Sequence, residues 1–157
     1  MAMPMTVENY LNDHQVRYEV CPHPHTATTM HSAAAADVPA HQLAKAVLLQ
    51  DGAGYLMAIL PGDYHVRFSW LREVLGRNVG LATERELGDL FADCEVGAVP
   101  PLGDAYGIET IMDDSLVDSS EIYFEAGDHE DLIRMRSRDF LDLQINAMQA
   151  PFAAPGR

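Results

Sequence analysis

The sequence predicts a single α/β domain in which a mixed β-sheet is flanked by helices. Short apolar runs with strand spacing alternate with segments that place apolar residues on one helical face. No internal repeat and no linker divides the chain, and 157 residues at 48% hydrophobic composition can bury a core without a metal or a disulfide. We therefore expect one domain over residues 1–150 and a disordered tail over residues 151–157.

Caps and turns mark the limits of the elements in the first third of the chain. One helix has apolar residues at positions i, i+3 and i+4, and a second helix is rich in alanine. The predicted elements are a helix that Thr6 caps and that extends to His14, a strand at residues 16–20, a loop at 21–26 and a helix from Thr28 or Thr29 to Asp37.

The middle third is predicted to form strands and short helices. The turn sequence at residues 51–54 separates two apolar runs and predicts a β-hairpin. Gly76 can end a helix that Ser69 caps, and Thr83 with Glu86 forms a capping box. The predicted strands are residues 46–50, 55–60, 64–68 and 79–82, and the predicted helices are 69–75 and 84–92.

Three further strands and a helix complete the predicted sheet. Apolar runs follow a loop that is rich in proline and glycine, and a periodic segment with a serine at its start ends the domain. The predicted strands are residues 108–112, 121–125 and 132–135, and the predicted helix runs from Ser137 to Met148.

Composition limits the partners and the compartment. The chain has 24 acidic and 10 basic residues, a net charge of −14, which is opposite in sign to a surface that binds long stretches of DNA or RNA. A ligand that presents only a terminal nucleotide needs few phosphate contacts. Two cysteines outside any CxxC pattern, and the lack of a signal segment or a membrane-length apolar run, predict a cytoplasmic protein without a membrane partner.

Lys45 is the only lysine in a chain with nine arginines, and it directly precedes the apolar run 46–49. An ammonium group is a compact donor whose pKa responds to burial, whereas a guanidinium group stays charged and planar. Two interpretations remain open at this point. Lys45 is either a functional amine in a binding site or the single lysine that an arginine-rich composition leaves by chance.

Residues 97–103 form a Gly-x-x-x-Pro-x-Gly loop after a predicted helix. Glycine allows a substrate carbonyl to approach the backbone closely, and proline fixes the turn, so the remaining N–H groups can face an oxyanion. As a bare pattern, the loop is equally a simple turn.

Other reactive side chains support weaker hypotheses. Cys94 could act as a nucleophile or be a buried structural thiol. Alternating arginines on an extended segment would share one face, as a phosphate contact or as a solvated edge; they are Arg134, Arg136 and Arg138. A cluster of histidines could bind a metal or simply occupy loops and surface; its members are His23, His25, His31 and His41. Motifs of serine hydrolases, phosphate-binding loops and zinc proteases are absent from the sequence.

Four segments, in this order, resemble the YbaK/ProX superfamily of editing domains, which hydrolyse mischarged tRNA. Two of them carry the lysine and the glycine–proline loop, and the other two carry histidines. The segments are His23-Pro24-His25-Thr26-Ala27, Ala44-Lys45-Ala46-Val47-Leu48, Gly97 to Pro101 and Ala126-Gly127-Asp128-His129. The resemblance covers residues 5–145 and implies a curved mixed sheet.

The resemblance also implies an activity, which is hydrolysis of an aminoacyl ester that carries a small amino acid on tRNA. The catalytic residues it implies are Lys45, Gly97 and Ala98, and the substrate-binding residues are His25, His31, Pro101, Gly127 and His129. It implies no cofactor and no metal, and it implies the tRNA acceptor end as partner. The acidic composition favours delivery by a partner such as a synthetase, and whether a synthetase delivers the substrate stays open. Ala46 and Glu130 differ from common family patterns, so the edited amino acid stays open.

Two alternatives belong to other functional classes. One is a binding module for a tRNA end or a nucleotide that has kept the fold and lost turnover. The other is a small histidine-rich metal protein, which metal analysis of untagged protein would test.

Overall fold

Eight strands form a mixed β-sheet with helices packed on both of its faces. The computed structural model describes residues 3–26, 29–95 and 97–156, without the side chains of residues 29–31, 117 and 118. The helices are α1 (Met5–Asp13), α2 (Thr29–Ala35), α3 (Phe68–Leu75), α4 (Glu84–Leu90) and α5 (Ser137–Leu143). The strands are β1 (Glu19–Pro22), β2 (Leu43–Gln50), β3 (Tyr55–Pro61), β4 (Tyr64–Val66), β5 (Gly80–Leu81), β6 (Glu109–Asp113), β7 (Glu121–Glu125), β8 (Asp131–Arg136), β9 (Met148–Ala150) and β10 (Ala153–Pro155).

The sheet has the strand order β1-β8-β7-β2-β3-β6-β9, and β5 adds to β2. Strand β2 runs antiparallel to β3 and parallel to β7, while β3, β6 and β9 are parallel neighbours. The β7–β8 and β1–β8 pairs are antiparallel. This topology confirms the predicted α/β fold with a mixed sheet between helices. It also places the ends of β1 and β7 at the same edge of the sheet, on either side of the start of β8, and the candidate site lies at this edge.

Side chains of β2 alternate between two packed faces of the sheet. Ala44 and Leu48 are buried in the cluster that includes residues of α1 and α5. Leu49 lies on the opposite face in the cluster with Leu71 of α3, and Leu43 packs in a smaller cluster with α2. Lys45 shares the face of Leu43 and Leu49, because strand residues two apart project on the same side.

Predicted caps are confirmed at two helices. The Thr83 hydroxyl accepts the N–H of Glu86 at 3.1 Å, and the Glu86 carboxylate accepts the N–H of Thr83 at 2.9 Å, which is the predicted capping box. Gly76 ends α3 with φ of +68°, the left-handed conformation that glycine adopts at helix ends. At α1 and α3 the predicted N-caps are wrong. Helix α1 begins at Met5 after Pro4, and α3 begins at Phe68 after Arg67, so Thr6 and Ser69 lie inside these helices.

Several element boundaries also differ from the prediction, among them those of β1 and α5. Strand β1 spans Glu19–Pro22 rather than residues 16–20, because its register with β8 runs from Glu19 opposite Arg134 to Pro22 opposite Asp131. Helix α5 ends at Leu143, and residues 148–150 form an edge strand beside β6. Local periodicity could not reveal this strand, since its pairing partner lies more than 30 residues away in sequence.

The predicted disordered tail is wrong for the part of it that the structure describes. Ala153–Pro155 pairs with β4, and Phe152 is fully buried. The Asp113 carboxylate anchors the segment, because its Oδ1 accepts the N–H groups of Phe152 and Ala153, each at 2.9 Å. Burial of an aromatic ring and two hydrogen bonds to one carboxylate oppose the fraying expected of a terminus.

Among the described helices, none combines the length and the apolar character needed to cross a membrane. The longest, α1, has nine residues. A membrane span requires about 20 apolar residues in a helix.

Candidate active site

The turn between β7 and β8 forms one side of the candidate site. Gly127 has φ of +111° and His129 has φ of +55°, so both residues have left-handed backbone conformations. The Asp128 carboxylate holds the turn, because its Oδ1 accepts the N–H of Glu130 at 3.0 Å and the N–H of Asp131 at 2.9 Å. A positive φ is uncommon for a residue with a side chain, and such residues often mark functional sites.

Gly127 lies in close packing contact with two other segments. A Cβ on this residue would lie 2.7 Å from Pro4 Cγ and 3.1 Å from Cys94 Sγ. These distances are too short for a side chain, so glycine is required where the turn meets the N-terminal segment and the end of α4. The structure gives Gly127 a packing role, and its substrate contact remains a prediction.

The glycine–proline loop lies directly against this turn. The backbone N–H of Glu95 donates to the Gly127 carbonyl at 2.8 Å. Gly97 is exposed and has φ of +84°, whereas Ala98 is buried and its N–H donates to the Glu95 carbonyl at 3.1 Å. The N–H of Ala98, a predicted oxyanion donor, therefore closes the loop, whereas Gly97 is an exposed residue of the loop.

Pro101 anchors the far end of the loop. It is buried, and its carbonyl accepts a hydrogen bond from the Gln144 side chain at 2.7 Å. Gln144 follows α5, so this bond joins the loop to the C-terminal part of the chain. The described contacts of Pro101 are structural, and its predicted substrate contact remains untested.

His25 is exposed beside the loop and contacts residues on two sides. Its Nε2 lies 2.9 Å from Oε2 of Glu95, and the His25 side chain is 54% exposed. The ring of His25 meets the ring of His129 edge-on, with centroids 6.1 Å apart and planes at 79°. The structure thus brings together the predicted residues His25 and His129 with the loop that carries Gly97.

A buried carboxyl group lies behind His129. Glu125, the last residue of β7, and His129 are each 2% exposed. Oε2 of Glu125 lies 3.6 Å from Nδ1 of His129. Since His129 is buried and His25 is exposed, substrate would meet His25 first, and His129 lies in the layer below it.

Burial controls the protonation of Glu125. Removal from water raises the pKa of this carboxyl to about 7, and the negative charges of Asp128 and Glu95 act in the same direction. The Ser32 hydroxyl of α2 and His23, in the loop after β1, oppose the shift. Burial therefore extends the pH range over which the protonated form of Glu125 is favoured.

Lys45 lies on β2, the strand next to β7. The residue before Lys45 pairs with the residue before Glu125 across these parallel strands. Lys45 Nζ donates to the Gly62 carbonyl at 3.2 Å. Burial lowers the pKa of Lys45, and the Asp63 carboxylate opposes this effect. The described contacts of Lys45 are with the turn between β3 and β4, and no contact between Lys45 and the Gly97 loop is seen among the described residues.

The other predicted reactive groups lie outside this arrangement. His31 belongs to α2, but its side chain lies outside the described residues. Burial raises the pKa of Cys94 to about 12, so its thiol stays protonated at neutral pH and is a poor nucleophile. Within the part of the chain that the structure describes, no three histidine, cysteine, aspartate or glutamate residues are arranged to hold a metal ion.

The three alternating arginines do not form one phosphate-binding face. Arg134 is paired with Glu19 at 2.6 Å and with Glu121 at 3.4 Å. Strand β8 ends at Arg136, and Arg138 lies in α5. The prediction of a shared extended face is wrong, because the chain turns into a helix after the second arginine.

Sequence reasoning missed Glu125 and Glu95 as members of the site. Glu125 is the last residue of strand β7 and directly precedes the segment that contains His129. A charged residue at the end of an apolar run is the sequence pattern that could have identified Glu125 as a site residue. Glu95 is brought to His25 by a contact across 70 positions of sequence, which local patterns do not reveal.

The mixed sheet, the glycine–proline loop and the turn that carries His129 define an α/β domain of the editing class. The chain belongs to the aminoacyl-tRNA editing domain family, whose sequence profile matches residues 23–143. This match confirms the family predicted from the four sequence segments.

Solved structures show the same fold. The crystal structure of hypothetical protein APE2540 has a TM-score of 0.84 at 24% identity and covers 95% of this chain and 99% of that one. A structure described as a "putative trans-editing enzyme for prolyl tRNA synthetase" has a TM-score of 0.81 at 21% identity and covers 95% of each chain. A search of curated proteins gave no significant match.

Proposed function

We propose that this protein is a trans-editing deacylase that hydrolyses the ester of a mischarged tRNA carrying a small amino acid. The proposal rests on one observation: three segments lie together at the surface of a chain that belongs to the editing family. There the Gly97 loop, His25 and the turn that carries His129 lie in contact. The structure described as a "putative trans-editing enzyme for prolyl tRNA synthetase" has the same fold, which supports the proposal.

The reaction needs few specialised groups. An aminoacyl ester is already activated, so a site must position a water molecule and stabilise the oxyanion that forms at the carbonyl. A hydroxyl of the substrate ribose, which the family resemblance implicates, can assist the water. This chemistry explains why a deacylase of this kind functions without a catalytic triad.

We assign the oxyanion contact to the exposed backbone at Gly97. Glycine has no Cβ to obstruct a substrate, and this residue is exposed with a φ of +84°. Ala98 supports this loop through its hydrogen bond to the Glu95 carbonyl. His25, exposed and bonded to Glu95, provides a polar group beside the carbonyl.

We assign Lys45 to the terminal nucleotide of tRNA or its phosphate. An ammonium has three N–H donors, and the Gly62 carbonyl accepts one of them. The remaining donors are suited to a phosphate oxygen. Because the described Lys45 side chain lies at the Gly62–Asp63 turn, this assignment requires it to turn toward the site when tRNA binds.

The net charge of −14 fits a narrow mode of tRNA contact. A protein of this charge repels long stretches of phosphate backbone, so contact limited to the acceptor end is favoured. It also favours delivery of the mischarged tRNA by a synthetase over independent capture.

The test is the release of amino acids from a panel of mischarged tRNAs, including proline tRNA charged with alanine or cysteine. We expect release of small amino acids such as alanine, serine, cysteine and threonine, with overlap among them, because size differences of one methylene separate substrates by about 1–3 kcal/mol. Binding of uncharged tRNA ends without any release would instead support the non-catalytic binding module.

A further inference from the structure

Glu125 is a buried carboxyl group between apolar neighbours in the sequence. It ends β7, next to the buried residues Phe124 and Ala126, and it is 2% exposed. Within the described residues, no hydrogen bond of normal geometry reaches either of its carboxylate oxygens. A buried polar group without such partners destabilises a protein, so its presence here points to a function.

A chain of contacts leads from Glu125 to the surface. Oε2 of Glu125 lies 3.6 Å from Nδ1 of His129, and the His129 ring lies edge-on against the ring of His25. His25 in turn is held by Glu95 at 2.9 Å and is exposed. Each member of this chain touches the next, and the last member lies where the substrate is proposed to bind.

We propose that Glu125 is a positioning residue of the editing site, which holds the ring of His129 in one orientation and one tautomer and thereby supports His25. The inference rests on the proposed function, because it assigns Glu125 to the same site. The two ring nitrogens of histidine are chemically distinct, and a carboxyl group beside one of them decides which nitrogen carries the proton. The left-handed backbone of His129, with φ of +55°, shows that the surrounding structure constrains this residue strongly.

Positioning and a purely structural role predict opposite effects of substitution. If Glu125 served the fold alone, its replacement would lower stability. If it serves the site, an apolar residue of similar length should leave the fold as stable or more stable, because replacing a buried charged group by a packed apolar one is often neutral or stabilising. In that case the change should disturb His129 and the reaction.

The experiment uses Glu125→Met and Glu125→Gln, with Glu121→Gln as a control on the same strand. Glu121 is partly exposed and pairs with Arg134, away from His129. Each protein is measured by thermal unfolding, by nitrogen-15 NMR of the histidine side chains and by single-turnover deacylation. The His129 signals are assigned by their loss in His129→Gln.

In Glu125→Met we expect an unchanged or higher melting temperature, a shift of His129 from one dominant tautomer to a mixture, and a rate lower by about a hundredfold. Glu125→Gln should keep the fold and change the His129 signals as well. If the methionine variant does not fold, the glutamine variant provides the test. The Glu121→Gln control should change neither the His129 signals nor the rate.

Unchanged His129 signals in both Glu125 variants would overturn the inference. A normal deacylation rate with altered His129 signals would also overturn it, since the positioning would then serve no reaction. If the wild-type protein released no amino acid but His129 changed as expected, the contact would stand and the proposed function would fail. The NMR result therefore separates the two conclusions.

Discussion

Replacing Glu125 with glutamine is expected to stabilise the protein, and to do so more strongly as the pH rises. The carboxyl is 2% exposed, and burial raises its pKa from 4.5 to about 7. Between these values, the unfolded chain releases a proton that the folded protein retains. The favourable contribution of Glu125 to stability is therefore complete below pH 4.5 and is lost as the pH rises toward 7.

The magnitude follows from the two pKa values. Each unit of difference corresponds to about 1.4 kcal/mol, so a difference of 2.5 between 4.5 and about 7 corresponds to about 3 kcal/mol above pH 7. Glutamine has no charge to bury and should recover this amount at pH 8, but only about 1 kcal/mol at pH 5. For a chain of this size, a gain of 3 kcal/mol raises the melting temperature by about 6–12 °C.

Urea unfolding of wild type and Glu125→Gln at pH 5 and pH 8 measures this difference. Asp131, whose pKa burial and the neighbouring Asp128 raise to about 6, contributes to both proteins, so the comparison isolates Glu125. Glu121→Gln serves as the control and should show no gain that grows with pH. A Glu125→Gln advantage that is the same at both pH values would refute the argument from burial.

Three further predictions concern the proposed reaction. Lys45→Ala should abolish most deacylation, while thermal melting shows an intact fold. Lys45→Arg should not restore the activity, because the guanidinium is larger and planar. Near-normal turnover in the alanine variant would remove Lys45 from the site. Gly97→Ala should lower the single-turnover rate by roughly a hundredfold or more, with a modest loss of stability. The reason is that a Cβ on a residue with φ of +84° shifts the backbone of the loop. An unchanged rate would remove the loop from the mechanism. Affinity for aminoacyl-tRNA should depend weakly on salt at a net charge of −14, and a slope that implies on the order of six or more neutralised phosphates would contradict the proposed contact.

The parts of the fold that depend on local chemistry could be predicted from the sequence. The turn at residues 51–54 defines the β2–β3 hairpin, in which Gln50 pairs with Tyr55. Thr83 with Glu86, and Gly76, act through neighbours within one helical turn, so their sequence patterns are sufficient. The family could also be predicted, because each segment that resembles it is a short contiguous stretch of the sequence.

Features that depend on distant partners could not be predicted. The C-terminal segment is ordered because Asp113, about 40 positions earlier, accepts the N–H groups of Phe152 and Ala153. Pro151 and the small residues around it suggested a frayed end. Likewise, the contact between Glu125 and His129 depends on the β7–β8 turn, which brings the two side chains together.

The most direct test of the central claim is the release of amino acid from mischarged tRNAs by the wild-type protein. We predict rapid release of small amino acids, little or no release of bulky aromatic ones, and loss of release in Lys45→Ala and Gly97→Ala. Absence of release from every small aminoacyl-tRNA in the panel, by a folded protein and with a synthetase supplied, would contradict it. Equal release of bulky aromatic amino acids would contradict the proposed selection by size.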